Sequence, residues 1–348
     1  DQVSDMELEK GIIQSVVGTG EEGYRGDGGP ATLALIGEAY GCDFDRSDNL
    51  YISDGRNHTI RRIDRENWNI TTVAGTGGQG YSGDGGPAVS ATLNNLYSLQ
   101  VDTNGDIYIV DRLNSVIRKV DFKTGIITTV AGTGISGYSG DGGLGVDAEL
   151  MEPNDCFLDR SKGLLIADIQ DQRIRRLDLV NGKIETFAGN GVKERSGDGR
   201  LARDASLMGP RAVCMDSQGN TYICEREGNG VRKVDVDGFI STYAGTGERG
   251  YTGDGGLALT AKWGAPKAMR CDNQDNLIVV DTENNAVRKI DSISGVVTTI
   301  AGGHQGGEGD GGIPTSAGLE RPHGCGIDSN GNIYIADGVN HRVRAFGV

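Results

Sequence analysis

One unit of about 57 residues is written six times along the chain. The aspartate of a Gly-Asp-Gly triplet falls at Asp27, Asp84, Asp141, Asp198, Asp254 and Asp310, at steps of 57, 57, 57, 56 and 56. A second aspartate closes the first apolar run of each unit and keeps the same steps through Asp45, Asp102, Asp159, Asp216, Asp272 and Asp328. A period this long belongs to propellers and solenoids, whose units bury their apolar faces only against their neighbours. The six units use nearly all of the 348 residues. The reading is therefore one repeat domain over 11–348, preceded by a polar, mobile tail over 1–10.

Within a unit the pattern is four short strands. The first unit gives AYGCDFD (Ala39 to Asp45), NLYISD (Asn49 to Asp54), HTIRRID (His58 to Asp64) and NITTVAG (Asn69 to Gly75). Each run is β-branched or aromatic, with Gly, Asn or Asp between runs, as short antiparallel strands and tight turns require. The segment GIIQSVVG (Gly11 to Gly18) matches the last strand of a unit but has no partners before it. The chain ends with three strands and no fourth, from Pro322 to Phe346. These ends predict an all-β, six-bladed β-propeller with four antiparallel strands per blade, its last blade closed by the N-terminal strand. Such closure removes exposed sheet edges.

Composition narrows the class of partner. The formal charge of −15 disfavours bulk phosphate binding, so no nucleic-acid partner is expected. No apolar run is long enough to span a bilayer, so no membrane partner is expected either. A start at Asp1 without an initiator Met is what removal of a signal peptide or tag leaves, which leans toward a secreted or periplasmic protein. The six cysteines lean the other way and keep a cytoplasmic home open. Five of them (Cys42, Cys156, Cys214, Cys271, Cys325) fall in first strands and Cys224 in a second strand, as small buried hydrophobes do.

Segments such as DNLYISDGRNHTIRRID, GNIYIADGVNHRVRAF and ITTVAGTG resemble the NHL repeat family, and the likeness covers Gly11 to Phe346. The resemblance implies a six-bladed propeller and says little about activity. His58 and His341 match the family's repeated Asn-His.

Six copies of one unit solve the same folding problem, so a residue present in every copy is read as structural. Arg61, Arg118, Arg175, Arg232, Arg288 and Arg344 share one third-strand position. Their expected partners are the second-strand acids Asp54, Asp111, Asp168, Glu225, Asp281 and Asp337. The Gly-Asp-Gly loops are read as turns, with glycine supplying positive φ and Asp bonding backbone N–H groups two residues on. No helix and no Gly-Lys-Ser/Thr follows them, which excludes a P-loop.

The informative positions open each first strand. The first and third residues before the closing Asp are apolar in all six units, a packed face of period two. The fifth residue before it breaks that pattern as Tyr40, Tyr97, Asn154, Arg211, Lys267 and His323, expected to ring the mouth of the central channel. Glu38, Glu152, Asp155 and Arg321 flank them, and Asp43, Gln100 and Arg270 stand deeper, where small residues are expected. The mouth is read as basic on one side and acidic and phenolic on the other. The functional expectation is a small-molecule enzyme of lyase, isomerase or hydrolase type acting on a polar, anionic substrate. His323, Tyr40 and Tyr97 are its acid–base candidates. Arg211, Lys267, Arg270, Asn154, Asp155, Asp43, Gln100 and Arg321 are its substrate-binding candidates. The chain is similar in architecture to the gluconolactonase, strictosidine-synthase-like and peptide-amidating lyase groups, which place their sites at this mouth. The first of these implies a divalent cation such as calcium on Glu38, Glu152, Asn154 and Asp155. Four histidines, two of them in the family motif, argue against a three-His zinc site, and no Gly-x-Ser-x-Gly elbow marks a serine hydrolase. The alternative is a non-catalytic platform for a protein or small-molecule ligand. A monomer is expected.

Overall fold

The computed structural model describes residues 6–348. Its 24 strands form six sheets of four antiparallel strands, joined by short 3-10 turns, and no α-helix occurs among the described residues. The chain is an all-β, six-bladed β-propeller. In the first blade the strands are β2 (Ala39–Phe44), β3 (Leu50–Asp54), β4 (Thr59–Ile63) and β5 (Ile70–Ala74), each within a residue or two of the stretch expected from sequence. No helix is long and apolar enough to cross a membrane.

Two compact units divide the chain. One comprises Asp1–Thr129 and Ala301–Val348, with the closing sheet and the first two blades. The other is Val130–Ile300, with the third to fifth blades. In the first unit β1 (Ile13–Val17) pairs antiparallel with Arg342–Phe346 in register Ile13↔Phe346, completing the sheet that Gly324–Ile327 and Ile333–Asp337 begin. The two chain ends thus share one sheet, as expected. Of the anticipated tail over 1–10, residues 1–5 lie outside the described residues. Residues 6–10 are not a free tail. Lys10 bridges Gly347, the Gly347 N–H donates to the Glu9 carbonyl (3.1 Å), and Met6 and Leu8 pack on the core of the closing and first blades. The two apolar residues explain the docking, since burying them outweighs the freedom lost by a short segment.

Within each blade the packed face expected from the apolar alternation is realised in part. The third residue before the closing Asp is buried in every blade, whereas the first is only half-buried. The closing Asp makes its own turn, Asp45 Oδ1 accepting the N–H groups of Ser47 (2.9 Å) and Asn49 (3.0 Å).

The arginines of the shared third-strand position hold more than the expected pair. Arg61 is fully buried and donates from Nη2 to Asp27 Oδ1 (2.9 Å) and the Arg25 carbonyl (2.9 Å). From Nη1 it donates to the Leu35 carbonyl (2.8 Å) and Asp54 Oδ2 (3.4 Å). The same two-acid clasp recurs around Arg118, Arg232, Arg288 and Arg344. The Gly-Asp-Gly aspartate is therefore no self-contained turn residue, as sequence suggested. Its carboxylate bridges the buried guanidinium to a fourth-strand hydroxyl, Thr72 Oγ1 donating to Asp27 Oδ2 (2.6 Å). The glycines beside it have the expected role, with Gly26 at φ 99° and Gly28 at φ 89°. The loop they shape lies along the blade's outer strand, Gly28 N–H donating to the Ile70 carbonyl (2.7 Å) and Ile70 N–H to that of Gly29 (3.0 Å), which covers an edge open to pairing.

The third blade departs from this scheme. Its hairpin reads Asp168-Ile-Gln-Asp-Gln-Arg, so Asp171 stands where Asn57, Asn114, Asn284 and Asn340 donate to the second-strand acid. Arg175 keeps its bond to Asp141 (2.8 Å), while Asp168 accepts the N–H groups of Met151 (2.7 Å) and Glu152 (2.9 Å).

Burial pushes the Asp54 carboxyl up to about 6, against the opposing pull of Asn57 and Arg61. A carboxyl raised in the folded state stabilises below its ordinary range, and that contribution is lost as pH rises through about 6. The destabilisation caused by Asp54→Asn should therefore be larger at about pH 4 than at about pH 7, by on the order of 2 kcal/mol. Urea unfolding at the two pH values checks this, and an equal gap at both would contradict it.

Candidate functional site

Each unit holds three of the six irregular positions. In the first unit the innermost strands β2, Leu99–Val101 and Gly324–Ile327 approach backbone to backbone. A Cβ on Gly41 would sit 3.1 Å from the Tyr97 carbonyl oxygen, and one on Gly324 would collide with that of Tyr40. Where these strands begin, the Tyr40 ring meets both Tyr97 and His323. The Tyr40 ring packs edge-on against Tyr97, with centroids 4.9 Å apart at 66°, and against His323 at 4.8 Å and 75°. Tyr40 and His323 are buried and Tyr97 half-buried.

Polar groups fix this aromatic cluster. The Tyr40 hydroxyl donates to Glu38 Oε2 (2.6 Å), and Glu38 Oε1 lies 3.4 Å from Arg56 Nη2. Burial first, then the bond to Glu38 and its charge, hold the Tyr40 phenol well above the ordinary tyrosine range, so it remains a proton donor. The Arg112 guanidinium lies 4.0 Å from the centroid of the Tyr97 ring. Asp43 Oδ2 accepts the N–H of Val101 (2.7 Å) and Gln100 Nε2 (3.3 Å), so both expected ligand-binding residues join neighbouring first strands. Arg321 is exposed and holds φ 43° immediately before Pro322, a strained conformation for a residue with a side chain.

Two glycines belong to this site and were passed over in the sequence. A Cβ on Gly55 would collide with the Tyr40 ring, and one on Gly338 would lie 3.3 Å from His323 Nδ1. Their signal was legible. Only in the first and last blades does glycine follow the second-strand acid, where the others have Arg112, Ile169, Arg226 and Thr282.

In the second unit Asn154, Arg211 and Lys267 occupy the matching positions, all buried. Arg211 Nη1 donates to the Asn154 carbonyl (3.2 Å), and Asn154 Nδ2 to that of Glu152 (3.3 Å). Asp155 Oδ2 accepts the Val213 N–H (3.0 Å) and lies 3.6 Å from Arg270 Nη1, which also donates to the Met269 carbonyl (2.7 Å). Ala265 holds φ 48° before Pro266, matching the strain at Arg321.

The residues proposed for a cation do not fit one. Among the described residues no three His, Cys, Asp or Glu side chains gather where they could hold a metal ion, and the Asp155 carboxylate is turned to a guanidinium. No cysteine is in a disulfide, and five of the six are buried.

The teneurin NHL domain family matches residues 46–139 and 190–252, and the NHL repeat family matches 319–346. SUPPRESSOR OF QUENCHING 1 of Arabidopsis thaliana is 26% identical over 86% of this chain and 29% of its own length. Teneurin-1 of Gallus gallus is 30% identical over 70% of this chain and 10% of its own. NHL repeat-containing protein 2 of Homo sapiens is 26% identical over 86% and 44%. The chain therefore spans less than half the length of each of these relatives. Solved structures share the fold. An auxiliary nutrient binding protein from Bacteroides thetaiotaomicron has a TM-score of 0.68 at 17% identity, covering 97% of this chain and 76% of its own. The gluconolactonase XC5397 from Xanthomonas campestris has 0.58 at 14%, covering 89% and 86%. A streptogramin B lyase has 0.55 at 14%, covering 89% and 93%. With six four-stranded blades and these matches, the chain belongs to the NHL-repeat family of six-bladed β-propellers.

Replacing Glu38 by Gln removes a hydrogen-bonded negative charge from the Tyr40 phenol. The Tyr40 resonance in a carbon-13 tyrosine titration should then move at lower pH in Glu38→Gln than in the parent protein. Identical titrations would show that burial alone sets the phenol.

Proposed function

We propose that the protein is a small-molecule enzyme performing acid–base chemistry of lyase, isomerase or hydrolase type on a polar, anionic substrate. The observation that carries this reading is the Tyr40–Tyr97–His323 cluster, with the Tyr40 proton held by Glu38. A scaffold needs no phenol packed between an imidazole and a second phenol at positions that the repeat elsewhere fills with Asn, Arg and Lys. Histidine is the side chain suited to gain and lose a proton near neutrality, so His323 takes the role of base. Tyr40, whose phenol resists ionisation, orients the cluster, and Tyr97 is the phenol left to give a proton. Arg211 and Lys267, in the other unit, are basic groups suited to hold a carboxylate or an oxyanion, as are Arg321 and Arg270. No step uses a metal ion. The partner in this reading is a small molecule met by a monomer, and the net charge of −15 disfavours nucleic acid.

The likeness to a lactonase, a lyase and a nutrient-binding protein supports the fold alone, since one propeller architecture carries all three. One observation favours the second reading, a non-catalytic binding platform: Asp155 and Arg270, and likewise Asp43 and Gln100, are engaged with one another.

A thermal-shift screen of small carboxylates, sugar lactones and phosphate esters, followed by turnover assays on the hits, separates the two. His323→Ala should reduce turnover by about 100-fold or more in a protein that still folds, whereas Arg211→Ala should mainly raise KM. Full turnover in both variants would sink the assignment, and binding without turnover would favour the platform.

A further inference from the structure

Every second-to-third strand hairpin ends on one residue in the left-handed conformation: His58, Ser115, Gln172, Asn229, Asn285 and His341, with φ between 49° and 56°. Four of these side chains are seen to reach the loop that leads into the first strand of the next blade. Gln172 Oε1 accepts the N–H of Gly209 (2.7 Å), Asn229 Oδ1 that of Ala265 (3.0 Å), and His58 Nδ1 that of Asn95 (2.8 Å). His341 works in the opposite sense, its Nδ1 lying 3.0 Å from the Gly37 carbonyl oxygen. One task is thus performed twice by an amide oxygen, once by an imidazole lone pair and once by an imidazole N–H.

The partners fix both tautomers. A carbonyl oxygen only accepts, so His341 carries hydrogen on Nδ1. A backbone N–H only donates, so His58 Nδ1 carries none and the ring is neutral with hydrogen on Nε2. Protonating His341 leaves its bond in place. Protonating His58 sets one N–H against another.

We infer that His58 is a pH-sensitive positioning residue for the loop Asn94–Leu96, which sets Tyr97 against Tyr40: the neutral ring clasps the loop and the charged ring releases it. The loop is held closely enough for this to matter. Its Leu96 carbonyl abuts Gly55, where a Cβ would collide, and Tyr97 follows directly. The ionisable groups on the two hairpins that His58 joins have other partners. Arg56 faces Glu22 and Glu38, Asp54 faces Arg61, Asp111 accepts the Asn94 N–H and pairs with Arg118, and Arg112 lies over Tyr97. Burial lowers the basicity of the His58 ring. A histidine depressed in the folded state gives stability that is complete above the ordinary histidine range and is lost as pH falls through its folded value. The clasp therefore opens on acidification.

The repeat supplies its own control, because Gln172 and Asn229 show that an amide fills this position without titrating. Hydrogen exchange of the Asn95 amide in the full chain, read by NMR against the Gly209 amide that Gln172 holds, gives a local measure. In the parent protein the Asn95 protection relative to Gly209 should fall about tenfold between about pH 8 and about pH 5. In His58→Gln it should stay high at both pH values. In His58→Lys, which donates but cannot accept, it should be low at both. Should His58→Lys fail to fold, the first two proteins decide. An Asn95 protection that does not change with pH in the parent, or that falls equally in His58→Gln, would overturn the inference. This readout is independent of whether Tyr97 takes part in catalysis.

Discussion

A guanidinium sealed inside each blade is the interaction on which the rest of the structure depends. An arginine removed from water must find acceptors for its donors, and a planar fork can bond several at fixed angles where a lysine cannot. Arg61 answers with two carboxylates and two backbone carbonyls drawn from the entering loop and the second strand, and four other blades repeat the arrangement. A buried ion pair is weak evidence for net stability, because desolvation consumes most of what the charges return. Its effect is on specificity. A blade shifted by one residue would strand a charge in its core, so the network penalises wrong registers far more than it rewards the right one.

The same carboxylate that meets the arginine shapes the outer edge. Asp27 joins Arg61 to Thr72, and the glycines on either side let the backbone turn back along β5. One loop thus neutralises the buried charge and covers the strand that would otherwise be open to another chain. Its spacing of 56 or 57 residues follows, since each copy must reach the same arginine and the same edge.

The fold was legible because periodic residues report a shared constraint, and the four strands of the first blade, the closure by Gly11 to Gly18 and the pairing of Arg61 with Asp54 all follow from it. The partnership of Asp27 with Arg61 was not legible, because 34 residues separate them and a Gly-Asp-Gly turn explains itself locally. The docking of Met6 and Leu8 was hidden for a similar reason, two apolar side chains in a short polar stretch making no period. At the candidate site the sequence singled out six positions that lapse from the repeat, and there Tyr40, Asn154, Arg211, Lys267 and His323 are buried and Tyr97 is half-buried, which charge and polarity alone did not reveal. Asp43 and Asp155 were chosen for their charge, yet each carboxylate accepts an N–H from the neighbouring first strand, Val101 and Val213. Charge at a lapse in the repeat can serve the lapse itself.

If the arginine clasp is the constraint that sets each blade, its members must act as a unit. A double-mutant cycle on Arg118 and Asp84, using Arg118→Met and Asp84→Ala with unfolding free energies from urea, measures this directly. The account predicts a coupling energy on the order of 2 kcal/mol, because either single change removes the same charge-assisted bonds between Arg118 and Asp84. Additive losses would mean that the buried charges are tolerated passengers and that packing alone determines the blade.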